Sequence, residues 1–213
     1  MISPTPNGVA TPEFSEYVGE LFRGLKPETV VEVGPDNRLS LMPRLGRLCG
    51  RYVGVALPED CERSQQWYAM HQEMGVGNIE LIAGNAIDLP KIVPKADVIL
   101  VHNVLLDLTG NDTALMWEYR RGQREPNEEE AKKLQQRFAY AKAQGYRGFL
   151  EVANPGLVLT FNRATGTEPF IEGITTVVGV DRAQISVEPL LYDGGLATDE
   201  QWELITIDNR PGM

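Results

Sequence analysis

Thr29-Val30-Val31-Glu32-Val33-Gly34-Pro35 decides how the rest of the chain is read. A short β-branched run closed by a glycine predicts a buried strand running into a tight turn. Glycine at that point lets the backbone approach a ligand with no side chain in the way. Upstream, Thr11 can cap a helix and Pro12 suits its first turn. Phe14, Val18, Leu21 and Phe22 share one face of it, and Gly24 and Pro27 end it. Residues 1–10, with Pro, Ser, Asn and Gly, read as a flexible leader without the basic start and apolar run of a signal peptide.

The same pattern recurs downstream. Tyr52 to Ala56, Ile79 to Ala83, Asp97 to Val101 and Leu157 to Phe161 are further short apolar runs. Between them, Leu39 to Leu48 is apolar at helical spacing. Pro43 fits only a first turn, so that helix begins near Ser40 or beyond. Glu59 to Met74 predicts a helix ended by Gly75. Strands alternating with helices predict a parallel sheet covered by helices. Asn127 followed by Glu128, Glu129 and Glu130 starts a later helix, since acids suit the positive end of the dipole. Ala131, Leu134, Phe138 and Ala141 form its apolar face, and Gly145 stops or kinks it. The tail is β-rich over Ile174 to Val180, Ile185 to Leu191 and Glu203 to Ile207, with a turn at Asp193-Gly194-Gly195.

The chain has 213 residues, 42% hydrophobic and 23% charged, which suits one globular domain with a full core. The expected organisation is a single domain over 1–213 with an inserted helical segment at about 109–147. A net charge of −10 argues against nucleic acid as a bulk partner. Two cysteines and two histidines, with no Cys-x-x-Cys pair, give neither a disulfide framework nor a metal cluster. No stretch approaches a membrane span, and a cytoplasmic protein is expected.

In an open parallel sheet, ligands bind beyond the carboxyl ends of the strands. That rim gathers Gly34-Pro35-Asp36-Asn37, Ala56-Leu57-Pro58-Glu59, Gly84-Asn85-Ala86 and His102-Asn103. The ordered series Glu32-Val33-Gly34-Pro35, Tyr52-Val53-Gly54-Val55, Asn78 to Pro90, Ala96 to Val101 and Asn154 to Thr160 resembles the class I S-adenosylmethionine-dependent methyltransferases. The resemblance covers roughly Thr11 to Phe161. It implies a Rossmann-like three-layer α/β sandwich, with a seven-stranded, mostly parallel sheet and a C-terminal antiparallel hairpin strand. It also implies S-adenosylmethionine as cofactor and methyl transfer to a small-molecule acceptor. Glu32 matches the acid that helps hold the methionine amino end, and the Gly34 backbone would approach the amino-acid and ribose portion. Pro35, Leu57, Gly84 and Ala86 fall in the same cofactor loops. The sequence departs from the family pattern at Asp36 and Arg38, which replace loop glycines, and at Ala56, which replaces the ribose-binding acid. Glu59 stands three residues on as a substitute. Asn85 replaces the adenine-contacting acid, and its amide oxygen can still accept from an amino group. These departures give the alternative reading: a catalytically inactive binding or regulatory subunit on the same fold.

His102, just past the fourth strand, is the candidate catalytic base, or else a polar residue at a strand end. Asp107 is a second candidate. Trp117, Tyr119, Tyr140 and Tyr146 either line an acceptor pocket or pack an added helix on the sheet. From Glu118 to Arg147, eight basic side chains face five acidic ones. Arg120, Arg121, Arg124, Lys132, Lys133, Arg137, Lys142 and Arg147 thus read as a solvated helix face, or as a surface for an anionic acceptor, a second copy or a partner subunit. His102-Asn103-Val104-Leu105 is not the Asn/Asp-Pro-Pro-Tyr/Phe of amino-group methyltransferases, so the resemblance disfavours that chemistry.

Overall fold

The apolar runs pair with one another, because a buried strand can satisfy its backbone only on a neighbouring strand. The computed structural model describes residues 12–35, 42–102, 128–190 and 202–211, with His102 placed by its backbone. Strand β1 (Thr29–Val33) lies between β2 (Arg51–Ala56) and β4 (Val98–His102), parallel to both. Beyond β2 comes β3 (Ile79–Ala83), and beyond β4 comes β5 (Leu157–Arg163), again parallel. β7 (Trp202–Asp208) runs antiparallel to β5 and pairs with β6 (Ile185–Leu190) at the far edge. The seven-stranded order is β3-β2-β1-β4-β5-β7-β6. This is the mostly parallel, Rossmann-like sheet with an antiparallel C-terminal strand that the resemblance implies.

Both faces are covered, which is why the strands read as unbroken apolar runs. On one face, Val31, Val33, Ile99 and Val101 meet Leu89 of α4 (Leu89–Ile92), Tyr146 and Phe149 of α5 (Glu128–Val152), and Phe170 of α6 (Ala164–Gly173). On the other, Val30, Tyr52 and Leu100 meet Phe22 of α1 (Pro12–Leu25), Leu45 of α2 (Met42–Leu45) and Tyr68 of α3 (Pro58–Glu73). Among the described residues, no helix is long and apolar enough to cross a membrane.

Two expectations are corrected. Gly145 does not stop α5, which continues to Val152. A helical glycine costs about 1 kcal/mol against alanine, less than burying Tyr146 and Phe149 returns. The buried stripe of α5 holds Ala139, Ala143, Tyr146, Phe149 and Leu150, whereas Leu134 and Ala141 are only half-buried. From Glu128 onward, the segment read as an insertion is the crossover helix between β4 and β5. Second, Ile174 to Val178 is a π-helical continuation of α6 and not a strand. Ile174 is buried in the core, and the Thr175 hydroxyl donates back to the Ile171 and Glu172 carbonyls, so packing and local bonding override the β-branched run. The leader, Asp36, Arg38, Asp107, Trp117, Tyr119, Arg120, Arg121, Arg124 and the turn at 193–195 lie outside the described residues, as do the side chains of Phe14, Val18, His102, Ala131 and Phe138.

One carboxylate registers the two central strands at their amino ends. Asp97 Oδ2 accepts from the backbone N–H of Glu28 (2.9 Å) and of Thr29 (2.7 Å), while Asp97 N–H donates to the Thr29 carbonyl. Asp97→Ala removes both bonds to the start of β1. The expected loss is about 2 kcal/mol of stability, read from urea unfolding midpoints at constant m.

Candidate active site

The carboxyl ends of β1, β2 and β3 form a rim with little free backbone. Gly34 turns in the left-handed region (φ 69°), which glycine alone adopts at no steric cost. Its N–H donates to the Val55 carbonyl at 2.8 Å, and Gly84 N–H donates likewise to Ala56 at 2.8 Å. Both turns are thereby tied to the neighbouring strand through their N–H groups. Pro35 is buried behind the first turn. Leu57, half-buried, precedes α3, where Pro58 opens the helix and Glu59 and Asp60 complement the positive end of its dipole. Ala56 is 3% exposed and brings no polar group to the end of β2.

Beneath the Gly34 turn lies a buried polar cluster. Glu32 is fully buried, opposite Gly54 in the β1–β2 register. Burial, and then the Glu32 carboxylate, push the Tyr52 hydroxyl well above its ordinary range. A Cβ at Gly54 would run into the Tyr68 hydroxyl and the Pro35 ring. Gly54 therefore seats Tyr68 against the back of the Gly34-Pro35 turn. Its role is close approach, since no ligand-facing function is needed to explain it.

At β3, Asn85 Oδ1 accepts from Ile87 N–H at 3.1 Å and caps the 3-10 turn Ala86–Asp88. One lone pair of that oxygen is used locally; the second and the amide N–H2 stay available to a ligand. Ala86 is buried, and Ile87 stands 42% exposed beside Asn85. A Cβ at Gly84 would meet the end of the Ile92 side chain, which would have to turn aside. The rim thus unites Gly34, Pro35, Leu57, Glu59, Gly84 and Asn85 at the ends of three adjacent strands, with Glu32 below. Asp36 lies outside the described residues. His102 ends β4 on the same rim, paired with Phe161. Among the described residues, no group of three or more His, Cys, Asp or Glu is placed to hold a metal ion. Cys49 and Cys61 are free thiols, and burial pushes Cys49 up to about 11, away from nucleophilic character.

Sequence reasoning missed the role of Lys142. Lys132, Lys133, Arg137 and Arg147 are exposed as a solvated face requires, but Lys142 is 3% exposed with Nζ 4.5 Å from the Phe170 ring centroid. Burial lowers its amine from 10.5 to about 7. The signal was present in the spacing: Ala139, Lys142, Ala143, Tyr146 and Phe149 follow one helical stripe. One turn along that stripe, the Tyr146 hydroxyl donates to Thr160 Oγ1 at 2.8 Å, and Thr160 sits within reach of the Val101 carbonyl.

No family model and no curated protein matches the sequence. Solved structures do match it. TrmN from Thermus thermophilus aligns at 13% identity and TM-score 0.57 over 96% of this chain, which spans only 51% of TrmN. The O-methyltransferase TomG from Streptomyces achromogenes, involved in tomaymycin synthesis and solved with S-adenosylmethionine, aligns at 12% identity and TM-score 0.55, over 95% of this chain and 82% of TomG. An rRNA methylase from Streptococcus thermophilus aligns at 12% identity and TM-score 0.51, over 93% and 99%. The chain has a methyltransferase fold. That fold is shared by an rRNA methylase, so the exclusion of nucleic acid drawn from net charge has no support from the fold.

The rim fits an adenosyl ligand at its ends: a left-handed glycine turn above a buried carboxylate at one, Leu57, Asn85 and Ile87 at the other. Between them, β2 ends on Ala56, which brings no carboxylate. Two predictions follow from the packing. Gly54→Ala overpacks the Tyr68–Pro35 contact and costs about 1–3 kcal/mol, with partial rescue by Tyr68→Phe in a double-mutant cycle. Lys142→Met removes a buried charge. Between pH 7 and 10 the unfolded wild type holds the lysine proton and the folded wild type has released it. Wild-type stability therefore rises relative to the variant across that window and is level with pH below it. Urea unfolding of both proteins at each pH measures the difference.

Proposed function

We propose that this chain is an S-adenosylmethionine-dependent methyltransferase acting on a small-molecule acceptor. The observation that carries the reading is the Gly34 turn, which closes β1 where the strand order reverses between β2 and β4. That switch point is where open α/β sheets take their ligands. Glu32, Gly34, Pro35 and Asp36 would receive the amino-acid end of the cofactor. Ala56, Leu57 and Glu59 would flank its ribose, and Gly84, Asn85 and Ala86 its base. When bound, the group supplies an electrophilic methyl. The contribution of these residues is to hold and orient it, which converts an encounter into a positioned reaction. His102, at the end of β4, is the residue assigned in this reading as the base for an acceptor proton. The net charge of −10 favours a small acceptor over a polyanion, and TomG is an O-methyltransferase of a biosynthetic pathway.

A second reading, an inactive binding or regulatory subunit of the cytoplasm, is favoured by one observation. Ala56 cannot make the charge-assisted bonds of a ribose acid, a difference of about 1.5–3 kcal/mol. In that reading, a partner or second copy would dock at residues 109–147.

Calorimetry with S-adenosylhomocysteine tests the first reading directly. Binding in the micromolar range is expected, and no heat at millimolar ligand sinks it. Glu59→Gln should weaken that binding by roughly tenfold if Glu59 serves the ribose. Unchanged affinity would remove Glu59 from the site.

A further inference from the structure

We propose that the end of the sheet opposite the Gly34 rim holds a second ligand site, which takes a small organic cation, an amine or a guanidinium, beside Asp181. The site stands on its own observations and needs no methyltransferase activity.

The strand register builds the place. Leu157 opens β5 beside Asp208, which closes β7, and Ile207 of β7 stands beside Ile185, which opens β6. Three turns therefore meet at one pole: the turn before β5, the turn before β6 and the turn after β7. Between them lies a cavity of about 550 Å³, walled by Asn154 and Pro155, by Asp181, and by Asn209, Arg210 and Pro211. That size falls within the range of small-ligand sites, about 300–1,000 Å³.

The hydrogen bonds at this pole decide what the cavity can bind. Asn209 spends both hydrogens of its amide on carbonyls at the end of α5, Leu150 at 2.9 Å and Ala153 at 3.1 Å. Oδ1 is the polar atom its side chain has left to offer. Gln184 is held at both ends: Nε2 donates to the Asp208 carbonyl at 3.0 Å, and Oε1 accepts from Asp181 N–H at 3.1 Å. Asp208 accepts from the Arg210 guanidinium with both carboxylate oxygens, and that pairing holds its carboxyl below the usual range. The positive charge of Arg210 is thus answered within the wall.

The Asp181 carboxylate is different. It caps the 3-10 turn Arg182–Gln184, with Oδ1 accepting from Ala183 N–H at 2.9 Å. Among the described residues no cation pairs with it. An ionised carboxylate has about four acceptor directions, and the cap uses only part of them. The carboxyl end of α5, the negative end of the helix dipole, lies against Asn209 and adds to the same sign. Asn154, exposed before β5, brings a carboxamide with no partner among the described residues. The cavity therefore offers acceptors fixed by bonds within the protein and one uncompensated negative charge. A positively charged hydrogen-bond donor matches that set, and an anion is repelled by it. Pro155 and Pro211 supply apolar wall for the carbon part of the ligand.

The cation can be a free amine or a side chain of a basic peptide, and two probes separate these sources. Putrescine and N-acetyl-argininamide are titrated by calorimetry into wild type, Asp181→Asn, Asn154→Asp and Glu73→Gln. Asparagine at 181 keeps a capping oxygen and drops the charge. Glu73→Gln drops the same charge from an exposed position on α3. Wild type is expected to bind at least one probe. Asp181→Asn should weaken that binding roughly tenfold or more. Asn154→Asp breaks no bond within the described protein and should tighten it, which keeps the site testable if the 181 variant does not fold. Glu73→Gln should leave the affinity within about twofold. Saturating S-adenosylhomocysteine should not displace the probe. No heat from either probe at millimolar concentration overturns the site. So does an affinity that neither substitution in the cavity changes. Equal weakening by Asp181→Asn and Glu73→Gln reduces the effect to the net charge of −10 and overturns it too. Displacement by S-adenosylhomocysteine puts the cation on the rim and does the same. None of these outcomes bears on the methyltransferase reading.

Discussion

The site depends on the burial of Val30 to Val33 in β1 and of Val98 to Val101 in β4 between two apolar layers. Water cannot reach these strands, so every backbone group along them must bond to a neighbouring strand. Free polar surface is then confined to the strand ends. At the amino ends, Asp97 takes up the first N–H groups of the β1 segment. At the carboxyl ends, Gly34 and Gly84 spend their N–H groups on Val55 and Ala56. What the rim offers a ligand is shape, carbonyl oxygen and the few side chains placed there.

The same constraint makes buried charge expensive, and two charge-bearing side chains described above are nonetheless buried. Glu32 is buried under the Gly34 turn on one face, and Lys142 is buried under α6 on the other. Glu32 is the next-to-last residue of β1. A core assembled for stability alone would place a methionine or leucine at 142. Retaining an amine there costs stability where the folded protein must hold it charged.

Most of the architecture was legible because strand burial leaves a strong trace. Ile79 to Ala83 reads as a strand to the residue, and Glu59 to Met74 finds α3 to within a residue at each end. The misreadings share a cause. At Ile174 to Val178, β-branched residues suggested a strand, but the chain had only to continue α6 onto the core. At Gly145, a weak local penalty was set against packing that periodicity in the following turns already announced. The site was legible as positions more than as contacts. Gly34 and Asn85 fall where expected, yet sequence alone could not show that Gly34 N–H and Asn85 Oδ1 are engaged within the protein. Lys142 escaped because counting charge along a segment discards which side of the helix each charge occupies.

The bond from Tyr146 to Thr160 has a mechanical consequence. A long helix lying on a sheet by apolar contacts alone can roll about its axis, since such contacts are non-directional. A buried hydroxyl bond to a fixed strand position removes that freedom. α5 is thus locked in azimuth like a keyed shaft, and any adjustment of its amino-terminal half on ligand binding must come from bending or sliding.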